Sequence, residues 1–141
     1  MELIWKNGSD EVEDCFAIRK KVFMEEQGFS NEFDDIDHIA WHLLVREDGQ
    51  PIATARLFTE GEGRTWHCGR ICVLLEHRGG GIGLVIMRAM EQKALELGAL
   101  ELELSAQLQA AGFYERAGFI REGETYMDEH CPHVTMKKKL Q

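Results

Sequence analysis

The segment Val73–Gly83, with the sequence VLLEHRGGGIG, most constrains how this chain can fold. It joins an apolar, strand-like run to four glycines within five positions, and an amphipathic helix pattern follows directly. Successive glycines let main-chain N–H groups converge on one anion, and a helix N-terminus adds positive potential. A tight turn alone needs only one or two residues with positive φ, so this segment predicts an anion-binding loop.

The spacing of these glycines excludes two common phosphate-binding motifs. A P-loop requires Lys followed by Ser or Thr after its last glycine, and no such pair follows here. A dinucleotide fingerprint requires G-x-G-x-x-G, but Leu84 or Ile86 occupies the last position in the two available registers. The remaining pattern is R-x-x-G-x-G, formed by Arg78, Gly81 and Gly83, and it suits a pyrophosphate.

The rest of the chain alternates between strand and helix patterns. Residues 84–98 have helical periodicity and end at Gly98, whereas residues 99–105 alternate leucine with glutamate as in a half-buried strand. An Asp-Gly turn at residues 48–49 predicts a hairpin, and Ser9 is a candidate N-cap for the first helix. The order β-α-(α)-β-β-β-α-β-α-β-β predicts one mixed α/β domain over residues 1–141, with an antiparallel meander before a parallel pair.

Composition limits the partners and the compartment. The formal charge of −9 disfavours nucleic acid and anionic membranes as partners. There is no signal-peptide pattern and no membrane-length apolar run, so we expect a cytoplasmic protein. If Cys68 and Cys72 lie on one strand, they are about 13 Å apart, too far for one zinc ion, so we expect reduced cysteines and no metal.

Longer segments identify a family. RKKVFMEEQG, ICVLLEHRGGGIG, LSAQLQAAGFYERAGF, GETYMDEHCPH and VTMKK occur in this order over nearly the whole chain. The chain therefore resembles the GNAT superfamily of N-acetyltransferases, and in particular its ElaA-like branch. The resemblance implies a mixed central sheet of six to seven strands, a parallel pair that splays where the cofactor enters, and about four flanking helices.

The resemblance also implies where acetyl-CoA binds. The pyrophosphate would contact main-chain amides of the glycine loop, and the pantetheine arm would contact the preceding strand, with an amide near Val73 polarising the thioester carbonyl. The gap in the sheet would lie between residues 72–74 and residues 104–107. The implied cofactor-binding residues are Ile71, Cys72, Val73, Arg78, Gly79, Gly80, Gly81, Ile82, Gly83, Leu84 and Gln107. The loop has three successive glycines where many relatives have a polar or basic residue, so binding would depend more on the main chain.

Acetyl transfer from a thioester requires a neutral amine and a proton for the departing thiolate. By resemblance, Tyr114 in AGFYERAGF is the proton donor, and a phenol with a pKa of about 10 stays protonated at neutral pH. Glu26 is the first candidate for general base, with Glu25, His42 and His133 as alternatives, and a chain of water molecules is a further alternative. Gln27, His42 and His133 are candidates for contacting the acceptor.

The acceptor itself is not specified by the sequence. The acidic run Glu32, Asp34, Asp35 and Asp37 is interpreted as a solvated loop, although such charge near the acceptor would favour a cationic amine. The predicted activity is transfer of an acetyl group to the primary amine of a small molecule. A non-catalytic acyl-CoA-binding module is the alternative. Dimers are common in the family, but no exposed apolar stripe defines an interface, so a homodimer stays an open alternative.

Overall fold

The computed structural model describes all 141 residues, Met1–Gln141, as seven strands and three α-helices with shorter helical segments. The strands are β1 (Glu2–Asn7), β2 (Trp41–Glu47), β3 (Gln50–Phe58), β4 (Thr65–Val73), β5 (Glu101–Gln107), β6 (Ile120–Asp128) and β7 (Cys131–Lys139). The α-helices are α1 (Glu13–Arg19), α2 (Ile82–Glu96) and α3 (Ala111–Arg116). A π-helical segment (Lys20–Glu26) continues α1, and short 3-10 helices occupy Asp35–His38, Leu75–His77 and Leu108–Ala110.

The strands form one mixed sheet in the order β1-β2-β3-β4-β5-β7-β6. β4 and β5 are parallel, with a register from Thr65↔Glu101 to Cys68↔Leu104. The pairs β1–β2, β2–β3, β5–β7 and β6–β7 are antiparallel. This confirms the predicted mixed α/β fold with six to seven strands. None of the helices is both long enough and apolar enough to cross a membrane.

The chain divides into two compact units. Unit 1 comprises Met1–Phe58 and Arg70–Ile86, and unit 2 comprises Thr59–Gly69 and Met87–Gln141. The expectation of a single domain over residues 1–141 stays a prediction.

In unit 1, the first helix packs its apolar face against the sheet. Its core joins Cys15, Ile18, Val22 and Phe23 of the helical region to Leu44 and Cys72 of the strands. The predicted hairpin is present, because Asp48 and Gly49 both have positive φ, 52° and 78°, as a two-residue turn between twisted strands requires.

The start of the first helix differs from the prediction. Ser9 is not its N-cap: α1 begins at Glu13, after Val12, and the Ser9 hydroxyl is hydrogen-bonded to His38 Nδ1. A side-chain partner 29 residues away along the chain competes successfully with the local cap. The helix ends near Gly28 as predicted, where φ is +80°. In its π-helical part, the Gln27 N–H donates to the Val22 carbonyl, five residues earlier, at 3.0 Å.

Unit 2 has a two-sided sheet of β5, β7 and β6. One face is buried and apolar, and its side chains come from alternate residues: Leu102, Leu104, Ala106, Val134 and Met136. The predicted end of α2 is confirmed, because Gly98 has a φ of +88°. The opposite face of these strands is polar and partly exposed.

Candidate active site

The glycine loop lies in unit 1, between the 3-10 helix Leu75–His77 and α2. Gly79 and Gly81 have φ values of +87° and +81°, which residues with side chains rarely adopt, so glycine is favoured at both positions. A Cβ atom built on Gly79, Gly80 or Gly81 would meet no other atom within 4 Å. The main chain therefore borders open space, and the first turn of α2 adds N–H groups with no carbonyl partner within the helix. These residues fit a pyrophosphate.

Arg78, at the start of this loop, is bound by two groups of unit 1. Its Nη1 and Nη2 donate to the two carboxylate oxygens of Glu26 at 2.7 and 2.8 Å, and its Nε donates to the Val73 carbonyl at 2.8 Å. The hydrogen bonds from Arg78 lower the pKa of Glu26 below its ordinary value, and the same bonds raise the pKa of Arg78. The pair therefore connects the π-helical segment to the end of β4 and the loop.

This ion pair changes the expected chemistry of both residues. A carboxylate with a lowered pKa is a weaker base, so the geometry disfavours Glu26 as the general base. The charge of Arg78 is balanced by Glu26, so the groups of this loop best suited to an anion are the main-chain amides of Gly79–Gly83 and the start of α2. Gln27 is half-buried immediately after Glu26, whereas Glu25 is exposed.

The strand that precedes the loop is anchored in the core of unit 1. Cys72 is buried, and burial raises the pKa of its thiol, so the group is a neutral thiol rather than a thiolate. Its neighbours Ile71 and Val73 are half-buried, and the N–H of Leu74 donates to the Ile52 carbonyl at 2.9 Å. These contacts fix the path of the chain into the loop.

The acidic run was expected to be solvated, and for two of its members that expectation is wrong. Glu32 and Asp37 are each only 4% exposed, because arginines from other elements of unit 1 pair with them. Arg19 donates to Glu32 at 3.0 Å and to Asp37 at 2.7 Å. We call this set the buried charge cluster, although Asp34 and Arg70 at its edge are 37% and 25% exposed. Its members are Arg19, Glu32, Asp34, Asp37, Arg56 and Arg70.

The buried charge cluster has no net negative charge that would attract a cationic acceptor. Its three arginines and three carboxylates balance, and Arg56 binds Asp34 at 2.7 Å and Asp37 at 2.9 Å. Arg70 binds Glu32 at 2.9 Å and has a φ of +50°, a conformation that is unusual for a residue within a strand. The segment 29–39 is therefore held against the strands by ion pairs.

His42 also belongs to this buried region and was predicted to contact the acceptor. Its side chain is fully buried, and its Nε2 donates to the Asp37 carbonyl at 2.9 Å. Burial lowers the pKa of His42, so the ring is neutral near pH 7. These contacts give His42 a structural role and disfavour it as an acceptor contact.

The remaining predicted residues lie in unit 2. Tyr114 is half-buried on α3, with its ring centroid 5.1 Å from that of Phe113 and 6.1 Å from that of Phe119. Gln107 ends β5, and its Oε1 accepts a hydrogen bond from Gln109 Nε2 at 2.6 Å. His133 on β7 is the cross-strand partner of Gln107. The structure therefore brings Gln107 and His133 together on neighbouring strands.

Sequence reasoning missed the arginines of the buried charge cluster and the environment of His133. A signal for Arg19 was available, since it occupies the apolar face of the first helix, at helical spacing from Phe16 and Val22. A charged residue on such a face indicates a buried partner. Tyr126 and Ser105, whose hydroxyls hydrogen-bond to each other beside His133, lie in two of the segments that resemble the family, but the sequence did not indicate that they pair with each other.

Comparison with known proteins agrees with this geometry. The acetyltransferase (GNAT) domain family matches residues 9–140, so the chain belongs to the GNAT acetyltransferases. A Bacillus subtilis (strain 168) protein that has a provisional acetyltransferase name is 41% identical over 130 residues, covering 89% of this chain and 87% of the relative.

Two crystal structures extend the comparison. An acyl-CoA N-acyltransferase from Pseudomonas aeruginosa has a TM-score of 0.87 and 28% identity, covering 97% of this chain and 98% of that one. Escherichia coli ElaA has a TM-score of 0.85 and 22% identity, covering 98% of this chain and all of that one (100%). The recognition made from the glycine loop and its flanking segments is thereby confirmed.

Proposed function

We propose that this protein is an acetyl-CoA-dependent N-acetyltransferase that acts on the primary amine of a small molecule by direct transfer. The observation that supports this most strongly is the exposed glycine loop at the N-terminus of α2, in a chain of the GNAT family. The name of the Pseudomonas structure, an acyl-CoA N-acyltransferase, supports the same type of donor and acceptor.

The residues proposed to bind acetyl-CoA are the same ones that the sequence predicts. Main-chain amides of Gly79–Gly83, with Ile82 and Leu84 at the start of α2, hold the pyrophosphate. The main chain of Ile71–Val73 follows the pantetheine arm, and Gln107 contacts the cofactor from β5. Arg78 positions the loop through Glu26 and Val73. Bound acetyl-CoA supplies an acetyl thioester, which an amine can attack.

Three proton movements accompany the transfer. The nitrogen of the neutral amine forms a bond to the acetyl carbon as the bond from that carbon to sulfur breaks. The hydroxyl of Tyr114 gives its proton to the departing thiolate and recovers one from solvent. The amine, which is an ammonium ion in water, must lose a proton before it attacks. After the bond to carbon has formed, the nitrogen loses a second proton to solvent, which leaves a neutral amide.

The test is release of free CoA from acetyl-CoA across polyamines, amino acids, amino sugars and peptides. Turnover with a primary amine, and an N-acetylated product by mass spectrometry, is the expected result. Tight binding of acetyl-CoA without turnover on any amine would contradict the proposal and favour a non-catalytic acyl-CoA-binding module. A cytoplasmic location remains a prediction of the sequence, and a homodimer remains an open alternative.

A further inference from the structure

Four polar side chains gather on one face of the sheet of unit 2. Gln107 on β5 and Tyr126 on β6 are both cross-strand partners of His133 on β7, and Ser105 hydrogen-bonds to Tyr126. Cross-strand partners project to the same face of a sheet. We call these residues, Ser105, Gln107, Tyr126 and His133, the His133 cluster.

The hydrogen bond of His133 identifies which ring nitrogen carries the proton. His133 Nδ1 lies 2.9 Å from the carbonyl oxygen of Cys131, and a carbonyl can only accept. In the neutral form of the ring, the proton is therefore on Nδ1 and the lone pair is on Nε2. His42 has the opposite tautomer, since its Nε2 donates to the Asp37 carbonyl.

The surroundings of His133 fix its orientation. The ring is 6% exposed and stacks on Tyr126, with a centroid distance of 6.1 Å and an interplanar angle of 24°. The charged residues farther along the same face are engaged with one another: Lys137 binds Glu122 at 2.9 Å and Glu103 at 3.6 Å. A buried imidazole with a fixed tautomer is suited to accept a proton at one defined nitrogen.

We propose that His133 is the general base of the reaction and takes a proton from the acceptor ammonium at Nε2. This inference rests on the proposed function, which places acetyl-CoA against Gln107, the strand neighbour of His133. An N–H bond of the ammonium breaks, its electron pair stays on the amine nitrogen, and Nε2 gains the proton. The resulting imidazolium keeps its Nδ1–H bond to Cys131 and returns the proton from Nε2 to solvent.

The base is needed most when the acceptor is charged. An alkylamine has a pKa near 10 and is almost wholly an ammonium ion at pH 7. An arylamine is already neutral at that pH and has no proton to lose before attack. The inference therefore assigns alkylammonium compounds as the acceptor class that depends on His133.

The experiment compares His133→Asn with His130→Asn in the full-length protein. Asn can retain a hydrogen-bond donor to the Cys131 carbonyl but lacks the basic nitrogen. The control residue, His130, is exposed and lies three residues away, at the β6–β7 turn. For an alkylamine, kcat should fall about 10²- to 10⁴-fold in His133→Asn, and much less for an arylamine. His130→Asn should match the wild type with both acceptors.

A second experiment measures the tautomer of His133 in the wild-type protein, so it requires neither turnover nor a variant that folds. In wild-type protein with ¹⁵N-labelled histidine, long-range proton–nitrogen correlation spectra report the tautomer of each ring. The expected result is that the neutral form of His133 has its proton on Nδ1, and a neutral form with its proton on Nε2 would overturn the inference.

The outcomes separate this inference from the proposed function. An equal loss of kcat with alkylamines and arylamines in His133→Asn, or no loss, would overturn the role of His133 while leaving the transferase activity intact. Failure of the wild type to turn over any amine would overturn the proposed function and this inference with it.

Discussion

Arg78 and Glu26 are joined by two parallel hydrogen bonds of 2.7 and 2.8 Å, although they are 52 residues apart along the chain. Both side chains are about one-third exposed, at 35% and 36%. The bidentate geometry fixes the guanidinium at the start of the glycine loop and cancels its charge there. The loop therefore begins at a guanidinium that is already paired, and in the proposed function the main chain of the loop contacts the anion.

Removing the carboxylate should strengthen cofactor binding. Glu26→Gln frees the charge of Arg78, so the dissociation constant of acetyl-CoA should fall about two- to fivefold, as expected for an exposed charge. Arg78→Gln should raise that constant, and Glu25→Gln at the exposed neighbouring position should not change it. Isothermal titration calorimetry measures all three, and weaker binding by Glu26→Gln would show that the pair acts as a unit.

The glycines of the loop allow backbone strain to be separated from ligand contact. Gly81 and Gly49 have similar φ values, +81° and +78°, and a Cβ at either would meet no atom within 4 Å. Alanine at either position should therefore cost about 1–2 kcal/mol of unfolding free energy. Only Gly81→Ala should raise the KM for acetyl-CoA by more than about tenfold, because its methyl group would occupy the space of the pyrophosphate.

Chemical denaturation and steady-state kinetics test this pair of variants. Equal KM values for Gly81→Ala and Gly49→Ala would mean that the loop does not contact the cofactor.

The periodic parts of this chain were predictable, and the long-range ion pairs were not. The strand at Glu101–Gln107 and the end of α2 at Gly98 follow from local alternation and from a left-handed glycine. The burial of Glu32 depends on its ion pair with Arg70, 38 residues farther along the chain, and the local sequence pattern contains no information about that contact. Ser9 failed as a helix cap for the same reason, since its partner is His38.

The site was predictable to a similar degree. The glycine loop is a contiguous motif, so its position between strand and helix could be predicted from spacing. The pairing of Glu26 with Arg78, and of Gln107 with His133, depends on how separate strands and helices pack. Chemistry that depends on such neighbours, including which group is basic, could not be predicted from residue types alone.

Arg19 should be essential to stability. It is 1% exposed, and its loss would leave the carboxylates of Glu32 and Asp37 short of a buried partner. Arg19→Leu should lower the unfolding free energy by about 3–5 kcal/mol, whereas Lys20→Leu, at the exposed next residue, should change it little. Urea denaturation followed by circular dichroism measures both, and similar midpoints would contradict this role.

The buried imidazole of His42 should make stability depend on pH. Burial lowers the pKa of the folded-state ring below the unfolded value of about 6.5, so the unfolded chain binds more protons as pH falls. Stability should therefore decrease as pH falls below about 6.5. His42→Gln can keep a donor to the Asp37 carbonyl and should flatten the decrease between about pH 7 and 5, where His42 titrates in the unfolded chain.

Urea denaturation at several pH values provides the measurement, with His130→Gln as the control because that ring is exposed. An unchanged slope in His42→Gln would assign the pH dependence to other groups.

Tyr114 offers a test of the proton that the thiolate requires. Tyr114→Phe retains a ring that can contact Phe113 and Phe119, so the variant should fold and bind acetyl-CoA. Without the hydroxyl, kcat at saturating acetyl-CoA should fall about 10²- to 10⁴-fold, while the dissociation constant of acetyl-CoA stays near that of the wild type. The loss of kcat should not depend on the acceptor, because the hydroxyl acts on the sulfur of the leaving group and not on the amine. Alkylamine and arylamine acceptors should therefore lose activity equally in Tyr114→Phe, in contrast to the unequal loss expected for His133→Asn. Unchanged turnover at saturating acetyl-CoA would show that another group protonates the thiolate.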